Sequence, residues 1–458
     1  MLITVPEGGI LVRKARKRPR RIATSIAAAV LLSMSAASVT ASADEPIQVG
    51  ITNLDGTPLS QAGQQPSPPP TFEDALRKAD ERGNTPSPEY ATPEFLKAVD
   101  EVAHRPPGQP AVAQEIPPIF LAACENDPRA ATKEGHVFHR VFWCQRYGAR
   151  AWAKRGNVVI GEATLNWIAV AMGSYKRRTI DMQFKPTFMG DNWGVYENIN
   201  TTTLSLGPVC GAQGSLGCNV NAAPLNQSLA AWKRDVTNQT WYGWLIDSDE
   251  TQSTAQDKTL FHQWHLTAAV RTPIPAEYWD WNLPDNTIRC DSATYFPNDP
   301  LACINADVVA WLPYFIGLPA PVGGIDEVAL HIRQALNEPS TTFPPSPFGK
   351  KIPGKYIQGN PDAPGLHRIP GSEEGPNRDV VRQTCALLQK PSPSHQCDEY
   401  PFASTQQGAA SPDWDYSVKY VDGTQNQRAG GQLVAFYNRD RILHKKLDQF
   451  FVNIIDVR

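Results

Sequence analysis

The chain has 458 residues, of which 41% are hydrophobic and 19% charged, and its 43 Lys and Arg against 46 Asp and Glu leave a formal net charge of −3. That length is more than one hydrophobic core usually serves and implies two or three domains. The charge balance excludes a broadly basic nucleic-acid-coating protein. The absence of a P-loop, of G-x-G-x-x-G and of G-x-S-x-G gives no support to nucleotide binding or to a serine hydrolase.

Residues 1–43 read as an export signal. Seven basic residues fall between Arg13 and Arg21, an apolar run covers 22–34, and Ala41-Ser42-Ala43 offers a cleavage site. The run is too short for a stable membrane span, so the mature chain, starting at Asp44, is expected to be extracellular with no span. It holds 36 Lys and Arg against 45 Asp and Glu. Residues 44–118 form a Pro-rich linker with two amphipathic patches, at 72–82 and 93–104, expected as short helices.

Export favours disulfides, and the eight cysteines fall into four sequence-adjacent couples: Cys124 with Cys144, Cys210 with Cys218, Cys290 with Cys303, and Cys385 with Cys397. Eight cysteines permit about 105 connectivities. Local pairing is therefore an expectation from short separations. Residues 119–320 carry runs of β-branched and aromatic residues at 158–160, 163–170, 179–188, 241–246 and 264–271, separated by Gly, Asn, Asp and Pro. Their alternation predicts a disulfide-bearing antiparallel β-sandwich. Its Trp241-Tyr242-Gly243-Trp244 and Trp279-Asp280-Trp281 stretches are either core or a surface stacking sugars or bases, which leaves a cell-surface or polysaccharide contact open.

Residues 321–458 are expected to form a small α+β domain. Ile325, Val328, Ile332 and Leu336 sit at helical spacing, with Asp326 and Glu327 in the first turn, and 450–455 reads as a buried closing strand. The chemistry concentrates at Cys397-Asp398-Glu399-Tyr400-Pro401. Pro401 pushes Tyr400 towards extended backbone and so holds two adjacent carboxylates on a stiff strand end, an arrangement suited to a divalent cation.

This stretch resembles the CDE(Y/F/W)P motif of the bacterial NucA/NucB deoxyribonucleases, and the likeness extends to His331-Ile332, to His367-Arg368, to the arginine-bearing stretch with Arg382, and to Asn426 through Gly431. The resemblance implies a secreted, metal-dependent nuclease acting on DNA without sequence preference. In that reading Asp398 or Glu399, with Asn426 in support, holds Mg²⁺ or Mn²⁺. The other carboxylate or His367 takes a proton from water, while Arg368 and Arg428 bind substrate phosphate. A Cys385–Cys397 bridge would staple the loop that leads into the acidic pair. One departure stands out, Gln407 at the place where the family commonly has Glu. It underlies the alternative that the tail is a degenerate nuclease on a secreted surface- or carbohydrate-binding protein.

Overall fold

The computed structural model describes residues 45–457 except 55, 57–59, 62–69, 86, 107–114, 191, 197, 199, 211–216 and 273–279. The export signal at 1–43 and Trp279 lie outside the described residues. The alternating segments form two curled antiparallel sheets, each seven-stranded among the described residues. The first runs from Ile47–Asn53 through Phe142–Arg155, Val158–Gly173 and Thr179–Met189 to Tyr242–Ser248 and Cys218–Val220. The second is built on Leu260–Arg271, with Thr203–Cys210 on one side and Asn286–Asp291 and Asp280–Asn282 on the other.

Because side chains alternate along a strand, each sheet turns one apolar face to the other. Trp167, Phe184 and Ile180 of the first meet Leu206, Trp264 and Leu266 of the second in a common core. Trp143 and Trp264 pack edge to face across it at 5.0 Å. Trp244 and Trp281 belong to the same core, at 5% and 6% exposure. The cysteines pair as adjacent couples, Cys124–Cys144, Cys210–Cys218, Cys290–Cys303 and Cys385–Cys397.

Residues in the Pro-rich segment are drawn into this architecture. Ile47–Asn53 is an edge strand on the first sheet, in register from Ile47 opposite Arg155 to Asn53 opposite Ala149. The two amphipathic patches are helices, Phe72–Glu81 and Pro93–Ala103, capped by the hydroxyls of Thr71 and Thr92. At the end of the first helix Lys78 and Arg82 reach the buried Asp307 at 3.7 and 3.6 Å.

The C-terminal region is α+β. Its elements are β1 (Trp311–Ile316), α1 (Asp326–Asn337), α2 (Gly375–Cys385), β2 (His395–Tyr400), β3 (Ser417–Asp422), α3 (Gly423–Arg439) and β4 (Phe451–Asp456). The strand β1 lies before residue 321 yet pairs in parallel with β4, from Trp311 opposite Phe451 to Ile316 opposite Asp456. Strands β2 and β3 form a separate antiparallel pair. The helical spacing of Ile325, Val328 and Ile332 packs α1 against Tyr314, Tyr400 and Phe436.

Buried charges join the two regions. Arg140 Nη1 and Nη2 donate to the Asp448 carboxylate at 2.6 and 2.8 Å, and Arg289 Nη1 donates to the same group at 2.5 Å. In return Arg441 of the C-terminal region donates to Asp291 of the β region at 2.7 Å. Asp448, Asp291, Arg289 and Arg441 are at most 1% exposed. Removing one member of such a set strands the others in a medium that solvates charge poorly.

Asp448→Asn is therefore expected to destabilise the full chain by about 3–5 kcal/mol, measured as a shift of the urea midpoint at constant slope. Protonating Asp448 has the same sense. Burial alone would raise its pKa, but the guanidiniums of Arg140 and Arg289 outweigh burial and hold it below 3.8. The contribution is thus complete above about pH 4 and lost as pH falls through the lowered value. A variant as stable as wild type, with the same acid limb, would contradict this.

Candidate functional site

Strand β2 ends where Pro401 begins, and Tyr400, held extended by that proline, is fully buried against the core. The two residues before it, Asp398 and Glu399, line one cleft of about 460 Å³. Helix α3 supplies Asn426, Ala429, Gly430, Leu433 and Tyr437 to its lining, and Arg368, Glu374 and Arg378 line it as well. A Cβ built on Gly430 would meet no protein atom within 4 Å, so glycine there keeps this part of the lining low. The Cys385–Cys397 bridge ties the end of α2 to the residue that precedes Asp398, with Cα atoms 6.3 Å apart.

Asp398 is 6% exposed and is held from beneath. Its Oδ2 lies 2.6 Å from His331 Nδ1 on α1, and His331 Nε2 lies 2.7 Å from the hydroxyl of Ser417 on β3. Although serine, histidine and aspartate are in line, Ser417 has no exposure. The arrangement can orient a carboxylate but cannot offer a nucleophile to a substrate. Burial, and after it the adjacent Asp398 carboxylate, push the Glu399 pKa up to about 7, against the lowering effect of the Ala403 N–H and of Arg378. That N–H sits 3.4 Å from Glu399 Oε1.

Asn426, which lines the cleft, donates its amide to Gln396 Oε1 at 3.3 Å and to the Cys397 carbonyl at 3.4 Å, so its amide oxygen is not used in these bonds. Among the described residues no group of three or more His, Cys, Asp and Glu is arranged as a metal cage. Three carboxylates line the cleft, those of Asp398, Glu399 and Glu374, the last paired with Arg378, and Asn426 adds an amide. Such a hard, incomplete set fits an ion that keeps waters and takes phosphate oxygens, as Mg²⁺ does, and fits a softer metal poorly.

The remaining candidates separate. Arg368 is at the cleft, with its guanidinium 4.7 Å from the Tyr437 ring centroid. His367 is not among the residues at the cleft; its Nδ1 donates to the Asp448 carbonyl at 2.6 Å. Arg428 also faces elsewhere, donating to the Gly324 carbonyl at 2.6 Å ahead of α1. Arg382 pairs on the exterior with Asp379. Gln407 is 8% exposed and accepts the His367 backbone N–H at 2.9 Å. The departure from the family's Glu therefore lies in the support of the His367 segment rather than at the carboxylates.

Two participants come from outside the motif. The pairing of His331 with Asp398 spans 67 residues, and in the sequence His331 is marked by its place in the helical pattern of α1 and by the likeness of His331-Ile332 to the family. Arg378 stands at the first turn of α2 beside Glu374, at 2.5 Å, one helical turn ahead of Arg382 in the same arginine-bearing stretch. No curated protein and no solved structure matches the chain. The model of the family Deoxyribonuclease NucA/NucB matches residues 372–453, the segment that carries α2, β2, β3 and α3 with Asp398, Glu399 and Asn426, and this supports a nuclease.

Proposed function

We propose that the protein is a secreted, divalent-metal-dependent endonuclease that hydrolyses DNA phosphodiesters with little regard to sequence. The observation that carries this reading is the cleft, lined by the adjacent carboxylates of Asp398 and Glu399, which lie inside the region of the family match, and by Arg368 just ahead of that region. Four disulfides support an oxidising compartment, in line with the export signal expected at 1–43. A surface-binding protein with a degenerate tail is not favoured, since Gln407, its main support, bonds backbone away from the carboxylates.

Asp398 and Asn426 would hold the cation, because His331 takes one carboxylate oxygen of Asp398 and leaves Oδ1 to the cleft. When bound, a Mg²⁺ or Mn²⁺ ion supplies polarisation of the scissile phosphate. Glu399 accepts the proton of the attacking water, a role for which a carboxylate with a pKa raised to about 7 is well matched. Arg368 and Arg378 bind the phosphoryl oxygens and offset charge that grows on them in the transition state. Contacts of this kind address the DNA backbone and carry no base information.

Full-length protein is expected to nick plasmid DNA with Mg²⁺ or Mn²⁺ and to stop in excess EDTA; cleavage that persists in chelator would remove the metal from the proposal. The two carboxylates are expected to part company. Glu399→Gln should lower the single-turnover rate by about 10²–10⁴-fold with Mn²⁺ binding retained, whereas Asp398→Asn should weaken Mn²⁺ binding itself, as followed by titration calorimetry. Equal loss of metal affinity in both variants would overturn the division of roles.

A further inference from the structure

Arg368 carries a charge with no carboxylate partner. Among the described residues it forms no ion pair, and its one side-chain hydrogen bond runs from Nη1 to the Ile442 carbonyl at 3.2 Å. Three aromatic rings stand against the guanidinium, with centroids of Tyr437 at 4.7 Å, Phe296 at 5.3 Å and Tyr295 at 5.7 Å, while the charges of Glu374 and Arg441 act on it without pairing with it. Tyr437 belongs to α3. Tyr295 and Phe296 belong to the β region, in the connection between the strands Asn286–Asp291 and Ala302–Asn305.

That connection is itself fixed. The Cys290–Cys303 bridge closes its base. The Tyr295 hydroxyl donates to Asp257 at 2.8 Å and accepts the His444 N–H at 3.0 Å, while its ring stacks on His444 at 3.7 Å. Phe296 is 4% exposed and lies under a second guanidinium, that of Arg441, at 4.0 Å. Aromatic faces attract a cation without neutralising it or occupying its N–H donors. A carboxylate in the same place would do both, and would compete with phosphate.

We propose that Tyr295 and Phe296 are positioning residues for Arg368, so that the β region completes the phosphate-binding wall of the cleft. The inference rests on the reading of that cleft as a DNA site. It predicts that the C-terminal elements alone lack a working phosphate contact, even though they contain both carboxylates and Arg368 itself.

The test uses the salt dependence of DNA binding, measured by fluorescence anisotropy with a labelled duplex on the full-length protein in EDTA. One lost phosphate contact lowers the slope of log K against log salt by about 0.9. Arg368→Ala is expected to lower the slope by that amount. Tyr295→Leu and Phe296→Leu alter no charge, yet each is expected to lower the slope in the same sense. Either combined with Arg368→Ala should add nothing further, and Tyr295→Phe, which keeps the ring, should retain the wild-type slope. A merely structural role would weaken binding or folding without moving the slope. If Arg368→Ala lowers the slope and both leucine variants leave it unchanged, the positioning role is overturned while the DNA site stands. If Arg368→Ala itself leaves the slope unchanged, the phosphate-binding reading of the cleft falls and the inference falls with it. Should one leucine variant fail to fold, as judged by circular dichroism, the other decides.

Discussion

The structure depends on one buried electrostatic arrangement, in which Asp448 is gripped by Arg140 and Arg289 while Arg441 returns the favour to Asp291. Asp448 and Arg441 flank the turn that leads from α3 to β4, and the arginines Arg140 and Arg289 come from the two different sheets. A hydrophobic interface would hold the regions together with more tolerance for sliding, because apolar contact is non-directional. Bidentate guanidinium–carboxylate pairing fixes an angle as well as a distance. The carbonyls of Asp440 and Arg441 accept from Arg140 and Arg289 at 2.9 and 2.7 Å, so the backbone of the same turn is clamped along with its side chains.

That clamp governs the cleft through a short chain of contacts. The carbonyl of Asp448 receives His367 Nδ1, and the carbonyl of Ile442 receives Arg368 Nη1. The segment bearing His367 and Arg368 is thus suspended from the turn that the β region holds. Its other edge is secured by Gln407 and by the bond from Gln406 N to the His367 carbonyl at 2.9 Å. A histidine beside an arginine in a Pro- and Gly-rich stretch looks like a base next to a phosphate clamp. In the fold the two side chains diverge, the histidine serving as an anchor that lets the arginine reach the cleft.

Features written in neighbouring residues were legible in the sequence. Alternation marked strands such as Val158–Gly173 and Thr179–Met189, helical spacing marked α1, and the short separations of the cysteines matched the pairs that form. The acidic pair was marked by Pro401. What escaped was set by contacts between distant parts of the chain. Arg140 and Asp448 are 308 residues apart and Arg289 and Asp448 are 159 apart, and nothing local distinguishes these arginines from solvated ones. Arg428 illustrates the limit from the other side. It stands two residues after Asn426 on α3, and a displacement of about 200° around a helix sends the one to the cleft and the other to the Gly324 carbonyl.

The charges at the cleft also bear on why the proposed chemistry would need a cation. Arg378 is paired with Glu374 on α2, which leaves Arg368 as the cleft cation without a carboxylate partner among the described residues. Against it stand Asp398 and Glu399, next to each other on one strand. Two unit charges about 4 Å apart interact by roughly 4 kcal/mol at an effective dielectric constant near 20, so a phosphate brought against both carboxylates in ionised form meets repulsion that Arg368, with Arg378 shared with Glu374, only partly offsets. On the proposed reading Asp398 and Asn426 would hold a divalent cation, which would supply the missing positive charge, and Asp398 would then belong to the binding surface instead of opposing the phosphate. The aromatic setting of Arg368 belongs to the same economy of charge, since rings hold that guanidinium in place and leave its positive charge to the substrate.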